Sequence, residues 1–218
     1  NTIEAYLAIG VFLIVAALIL WFIPSEYNIF YNNQASLLPF FLVSPWILLL
    51  LIPAITMKMI SVEMLEKTIT ILITKPIKNW EIVYGKFLAS ITIGILAIIP
   101  SIIFAYSIYQ LSEPKGNIDM GELTGSYIGL IMIICCYSSI GILCSSMSKN
   151  PMISFITTII IILFFVFGID IISNVYQINQ LKYLSLLSHY ESISRGVIDS
   201  RDIIYFISFI ILFLNAAV

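Results

Sequence analysis

Charge is what this chain has least of. Of its 218 residues, 10% are charged and 61% are apolar. A soluble domain carries roughly 25% charged and about 45–50% apolar residues. Ten basic and twelve acidic side chains cannot cover a 24.6 kDa globule in water. A mean hydropathy of +1.08 agrees. These values exclude a soluble enzyme, a disordered tail and a nucleic-acid module as the whole molecule. They place the chain in a lipid bilayer. A net charge of −2 gives no basic field for a polyanion, so no nucleic-acid partner is expected.

Reactive side chains are equally scarce. The three cysteines, Cys135, Cys136 and Cys144, share one apolar stretch and form no CxxC pair, so they read as buried thiols. One histidine, His189, cannot build a His-rich metal site. His189 and Glu191 lie beside Ser192 and Ser194, but residues one and two apart on a helix point in different directions, which excludes a hydrolase triad. The chain also lacks a Walker A loop. Gly85-Lys86 is followed by Phe87, and Trp80 stands where GxxxxGK[ST] needs its first glycine. The expectation is a chain that is not an enzyme, with no catalytic, cofactor or metal residues.

Long apolar runs are what the chain has in abundance. A span needs about 20 mostly apolar residues. Six runs qualify, at about 6–23, 38–57, 87–108, 125–147, 152–172 and 203–218. The predicted fold is one all-α polytopic membrane domain, 1–218, with six transmembrane helices. No basic segment precedes the first run and no small-residue cleavage site follows it, so it is not a signal peptide. The chain starts at Asn1 and stops inside the sixth run, so it reads as a piece trimmed at one or both ends. Deep ionisable residues, which mark proton or ion paths, are missing; Asp170 lies at the end of the fifth run. Energy for transport would have to come from another chain.

Loop charge sets the orientation. One side carries Lys58, Lys67, Lys75, Lys78, Lys86 and Lys149; the other carries Lys115, Lys182, Arg195 and Arg201. The first side is expected in the cytoplasm of a bacterial inner membrane, with both termini there.

The segment 60–86 is the most informative part of that side. Met57, Ile60, Met64, Thr68 and Ile71 follow three-and-four spacing, which predicts an amphipathic helix over Ser61–Ile73. Glu63 and Lys67 would form an i,i+4 pair on it. Pro76 ends it, and Asn79 can cap the next helix. From the pattern alone, such a helix either rests on lipid headgroups or docks on a partner.

The run Ser61–Pro76, followed by Trp80-Glu-Ile-Val-Tyr-Gly-Lys86, resembles the first cytoplasmic loop of ABC-2-type transporter permeases. Glu63, Thr68, Ile69, Leu72, Pro76, Gly85 and Lys86 match that pattern. Lys67 stands where the family has Gly, and Thr70 where it has a second Glu. The resemblance implies a type V exporter-like permease whose loop is a coupling element resting on the ATP-binding subunit. It makes Glu63, Glu66, Thr68, Ile69, Leu72 and Pro76 the coupling residues, with Glu63 and Glu66 turned toward the ATPase.

Two stretches on the opposite side extend the reading. Gly125 and Gly129 make a GxxxG that opens the fourth span, where another backbone can approach closely. In 188–202, Ser188 and Glu191 form a capping box, a short helix runs to Arg195, Gly196 stops it, and Asp199 or Ser200 caps the last span. Ile193 and Val197 are expected to bury, and Arg195 to pair with Asp199 or Asp202. The strings Pro114–Asp119, Gly125–Leu130 and Ser188–Phe206, with Pro45-Trp46 and Ile52–Met57, resemble gliding-motility-associated ABC permease subunits of the GldF type. That likeness implies as partners a separate ATP-binding cassette ATPase, a second permease subunit in a homo- or heterodimer, and a periplasmic-domain membrane subunit. The rival reading is a non-transporting membrane anchor for a motility or secretion complex.

Overall fold

The structure, a computed structural model, describes residues 2–32, 36–68, 78–116, 118–197 and 199–218. Among them every regular element is helical. Helix α1 (Thr2–Ala17) continues into a π-helical turn, Leu18–Phe22. Helix α2 is Leu38–Thr56, and α3 is the five-residue Ser61–Leu65. Helix α4 (Asn79–Ile98) passes through a 3-10 turn, Ile99–Ser101, into α5 (Ile102–Leu111). Helix α6 is Met120–Met147. Helix α7 (Pro151–Leu163) passes through a π turn, Phe164–Gly168, into α8 (Ile169–Tyr176). A 3-10 turn, Asn179–Leu184, leads to α9 (Leu186–Ser194), and α10 is Ser200–Ala217.

Five helical stretches are long and apolar enough to cross a membrane: Leu38–Leu65, Asn79–Leu111, Met120–Met147, Pro151–Tyr176 and Ser200–Ala217. Tyr6–Phe22 is apolar but shorter. Each irregular turn has a local reason or a local marker. Pro100 sits in the 3-10 turn between α4 and α5, where a proline cannot continue the i→i−4 ladder. Pro45 and Pro53 lie inside α2, and Thr56 Oγ1 donates to Ile52 O at 3.0 Å in the same stretch. Helix α4 starts earlier than the apolar pattern suggests. Its polar first turns hold Trp80, Glu81 and Lys86, and Lys78 rather than Asn79 is its cap residue, with Lys78 N–H donating to Glu81 Oε2 at 3.0 Å.

Helix α6 is the axis of the fold. It is buried along most of its length, whereas only a minority of the residues of α7 and α10 are buried. It packs against α2, α4, α7, α9 and α10. Between apolar helices in lipid there is no hydrophobic gain in leaving the solvent, so small residues that permit close backbone approach decide the packing. A Cβ on Gly141 would overlap Thr56 Oγ1 of α2, and one on Gly94 of α4 would lie 2.6 Å from Ile134 Cγ2 of α6. Large rings fill the remaining space. Phe12, Phe40, Phe41, Tyr137, Tyr190 and Phe206 are fully buried, and Phe41 meets the Tyr127 ring edge-on at 5.0 Å.

Candidate functional site

Residues of the two polar regions meet opposite ends of α6. At its C-terminal end lies an elbow formed by the end of α2, Met57–Ile60, α3 and the turn to Thr68. The amphipathic pattern is used inward. Ile60 is buried with Val83, Phe87, Ile142 and Leu214, and Met64 packs on that cluster. Ile60 and Met64 on the apolar side of the elbow therefore cover its own spans.

The helix itself is shorter than the spacing predicts. It ends at Leu65, Glu66 is its C-cap, and Lys67 has a φ of +57°. That is the left-handed region, which favours glycine and which a helix cannot pass through. The resemblance drawn from the sequence expects a glycine at this position, and the left-handed backbone that a glycine suits is present here with a lysine in it. Ile69, Leu72 and Pro76 lie outside the described residues. Thr68 Oγ1 donates to Glu63 O at 3.4 Å.

Glu63 does not point outward. Its Oε1 lies 2.6 Å from Lys86 Nζ of α4, and Lys86 also donates to Met59 O. The pair is mostly buried, and Glu63 Oε2 has no partner among the described residues. The outward edge consists of Leu65, which is 60% exposed, Glu66 and Lys67. Ser145 of α6 holds the elbow from below. Its hydroxyl accepts from Ile60 N–H and Ser61 N–H, each at 3.0 Å, and donates to Met57 O at 3.2 Å. Beside the elbow runs a groove of about 950 Å³ between α1 and α2. Val11, Val15, Trp46 and Leu50 are among its walls, and Val62 and Glu63 border its elbow end.

The other end of α6 carries a helical hairpin made of α9, its turn and the start of α10. Helix α9 starts one turn earlier than the capping-box reading places it. Its N-cap is Ser185, whose Oγ donates to Asp170 Oδ2 at 3.0 Å. Ser188 is inside the helix and donates to Lys182 O and Ser185 O at 2.8 and 2.9 Å, so Ser188 and Glu191 form no capping box. Arg195 ends the helix, and its Nε donates to Glu191 O at 3.2 Å. Gly196 follows with a φ of +84°, as the Gly stop requires. Asp199, not Ser200, caps α10, accepting from Arg201 N–H at 3.0 Å.

Gly125 and Gly129 face this hairpin. A Cβ on Gly125 would lie 2.5 Å from Ile193 O and 3.0 Å from Gly196 Cα; one on Gly129 would lie 2.9 Å from the Tyr190 ring. Ser126 Oγ donates to Ser194 O at 3.2 Å. Ile193 is fully buried there, whereas Val197 is 70% exposed and packs on no span top. Burial pushes the Tyr190 phenol well up, with smaller contributions from Tyr137 and Glu191, so it stays a donor, giving its proton to Phe41 O at 2.7 Å.

Asp202 belongs to a pair that sequence spacing does not announce. Its partner is His189, not Arg195. His189 Nδ1 lies 2.6 Å from Asp202 Oδ1, and Nε2 lies 2.8 Å from Tyr183 O. The Tyr205 ring stacks on the imidazole at 4.0 Å, and Tyr205 O–H donates to Leu184 O at 2.6 Å. One ring thus ties the 3-10 turn, α9 and α10 together.

The family model described as ABC-2 family transporter protein matches residues 6–214. The chain belongs to the ABC-2 transporter family. It is therefore a multi-pass membrane component of an ABC transporter, a part that is not itself catalytic and that works with an ATPase subunit. No curated protein and no solved structure matches it.

Proposed function

We propose that this ABC-2 chain is the permease subunit of an export or gliding-motility complex, driven by a separate ATPase that presses on the elbow. The observation that carries the reading is the shape of the elbow. Its inner side is fixed by Ile60, by Ser145 and by the Glu63–Lys86 pair, while Leu65, Glu66 and Lys67 form a short outward edge. A push on that edge loads α2 and α4 together, because α3 follows one and is ion-paired to the other. The spans then exchange between two packings, with ATP binding favouring one of them.

The inward turn of Glu63 moves the contact test to its neighbours. Leu65→Asp with Glu66→Arg should reduce retention of the ATPase subunit about tenfold or more, the order expected for losing a central contact. Abundance in the membrane should stay unchanged. Full retention of the ATPase by the double variant would remove the elbow from the interface.

The excess of lysine on the elbow side supports a cytoplasmic elbow, and Tyr6–Phe22 supplies the sixth span that brings both termini to that side. The strings shared with GldF-type subunits favour an inner-membrane motility complex with a second permease subunit and a periplasmic-domain subunit. In intact cells, an impermeant thiol reagent should modify Lys115→Cys and spare Lys78→Cys. The reverse pattern would invert the topology.

A further inference from the structure

We infer that Ser145 is the positioning residue that couples the elbow to α6, and that α6 carries elbow motion to the hairpin at its other end. The inference rests on the elbow being the ATPase contact and adds the route by which the push leaves it.

The first support is the valence of one hydroxyl. A serine hydroxyl has one donor and two acceptor positions, and Ser145 uses all three on a single chain break. It takes the Met57 carbonyl, at the end of α2, and the Ile60 and Ser61 amides, at the start of α3. Helix starts leave such amides without intrahelical partners, and the Met57 carbonyl accepts from Ser61 Oγ as well as from Ser145. Ser145, Ile60 and Ser61 are buried, so water does not stand in for the hydroxyl. The elbow thus cannot shift relative to α6 without breaking these bonds. Nearby, the close approach of Thr56 to Gly141 seats the end of α2 on the same stretch of α6.

The second support is stiffness. Helix α6 is α-helical from Met120 to Met147. Of the spans that flank the elbow in sequence, α4–α5 is interrupted by the 3-10 turn at Pro100, and α2 stays helical but carries Pro45 and Pro53 inside it, where each ring removes an i→i−4 hydrogen bond. Such points absorb motion. From Ser145 to Gly125 is about 30 Å at 1.5 Å per residue, and that stretch of α6 contains neither kind of break.

The third support is the far end. There Gly125 and Ser126 of α6 meet backbone, while Gly129 meets the Tyr190 ring. Gly125 faces Ile193 O and Gly196 Cα, and Ser126 Oγ holds Ser194 O. Movement of α6 must move α9. Helix α10 runs between the same two regions, but it reaches the elbow through apolar packing of Leu214, which tolerates sliding.

The test uses the chain purified with its ATPase subunit in lipid nanodiscs. A Val197→Cys substitution places a thiol on the exposed hairpin turn, and its reaction rate with a water-soluble maleimide reads hairpin position. The rate is expected to change about fivefold or more between nucleotide-free and ATP-trapped states, the lower range for coupled sites. Ser145→Ala should keep the ATPase bound and hydrolysing while reducing that change to below about twofold. Ser138→Ala is the control, because it removes another buried α6 hydroxyl, one without a hydrogen-bond partner among the described residues, and should leave the change intact. If Ser145→Ala is too unstable to purify, Gly125→Ala breaks the same route at the other end, and its loss of response carries the same meaning. A full response in Ser145→Ala, or in Gly125→Ala where that is the variant used, overturns the inference. So does a wild-type complex whose hairpin ignores nucleotide. Failure of the ATPase to bind the wild-type elbow instead overturns the proposed function, and is read separately by co-purification.

Discussion

A Gly196→Val chain should insert in the membrane yet fail to hold its hairpin against α6. Gly196 has a φ of +84°, which costs a residue with a Cβ about 1–2 kcal/mol and a β-branched one more. Space adds a second penalty. A Cβ there would meet Gly121 C at 2.7 Å and Glu122 N and Gly121 O at 2.9 Å. All three are backbone atoms of α6, so no side chain can rotate away. Overpacking of that kind adds about 1–3 kcal/mol, for a total near 3 kcal/mol or above. The hairpin is short, and isolated helices of its length are marginal in water, so it unfolds once it leaves α6. Limited proteolysis of the purified protein in nanodiscs should show new cleavage between α9 and α10, with a lowered thermal midpoint. Gly10→Ala and Gly85→Ala, where a Cβ meets open space, should resist like the wild type. Protection of Gly196→Val at wild-type level would mean that the turn reshapes freely and is not clamped to α6.

Gly196 was legible in the sequence because its signal is local. A glycine after a short polar helix, followed by Asp199 before an apolar run, marks a stop and a start from backbone chemistry alone. The long spans were legible for a similar reason, since lipid demands runs of apolar residues. The start of α4 was legible to within one residue, from Asn79 after the Pro76 turn; that Lys78 and not Asn79 is the cap residue was hidden. The break at Lys67 was hidden as well. Glu-Lys-Thr reads as helix, and a lysine in that run gives no sign of a left-handed backbone. Glu63 looked outward because its nearest sequence cation was Lys67, while its actual partner Lys86 belongs to another helix. Ser145 carried no signal at all. One serine in a run of small residues becomes a three-bond anchor through the placement of the elbow above it, and that placement is a product of the whole fold. His189 reads from spacing alone as a lone histidine, and that reasoning gives no view of Asp202 thirteen residues on.

The His189–Asp202 pair carries the other large expected effect. His189 Nε2 faces the Tyr183 carbonyl, which can only accept, so Nε2 bears a proton. Nδ1 and Asp202 Oδ1, 2.6 Å apart, share another. Two protons on an imidazole and a carboxylate leave no net charge, which is how the pair tolerates burial. Asp202→Ala removes the acceptor and leaves a buried ring nitrogen unpaired, which typically costs about 1–3 kcal/mol. Asp202→Asn is a sharper probe. An amide can donate to Nδ1 of a neutral imidazole while Nε2–H keeps the Tyr183 bond, so every hydrogen bond survives without a charge. Asp202→Asn should therefore stay within about 1 kcal/mol of wild type. In a double-mutant cycle, Asp202→Ala combined with His189→Leu should cost less than the sum of the two alone, by about 1.5 kcal/mol or more. Thermal midpoints in nanodiscs measure all four corners. Strict additivity, or Asn as damaging as Ala, would show that Asp202 holds α10 through its own contacts and not through the ring.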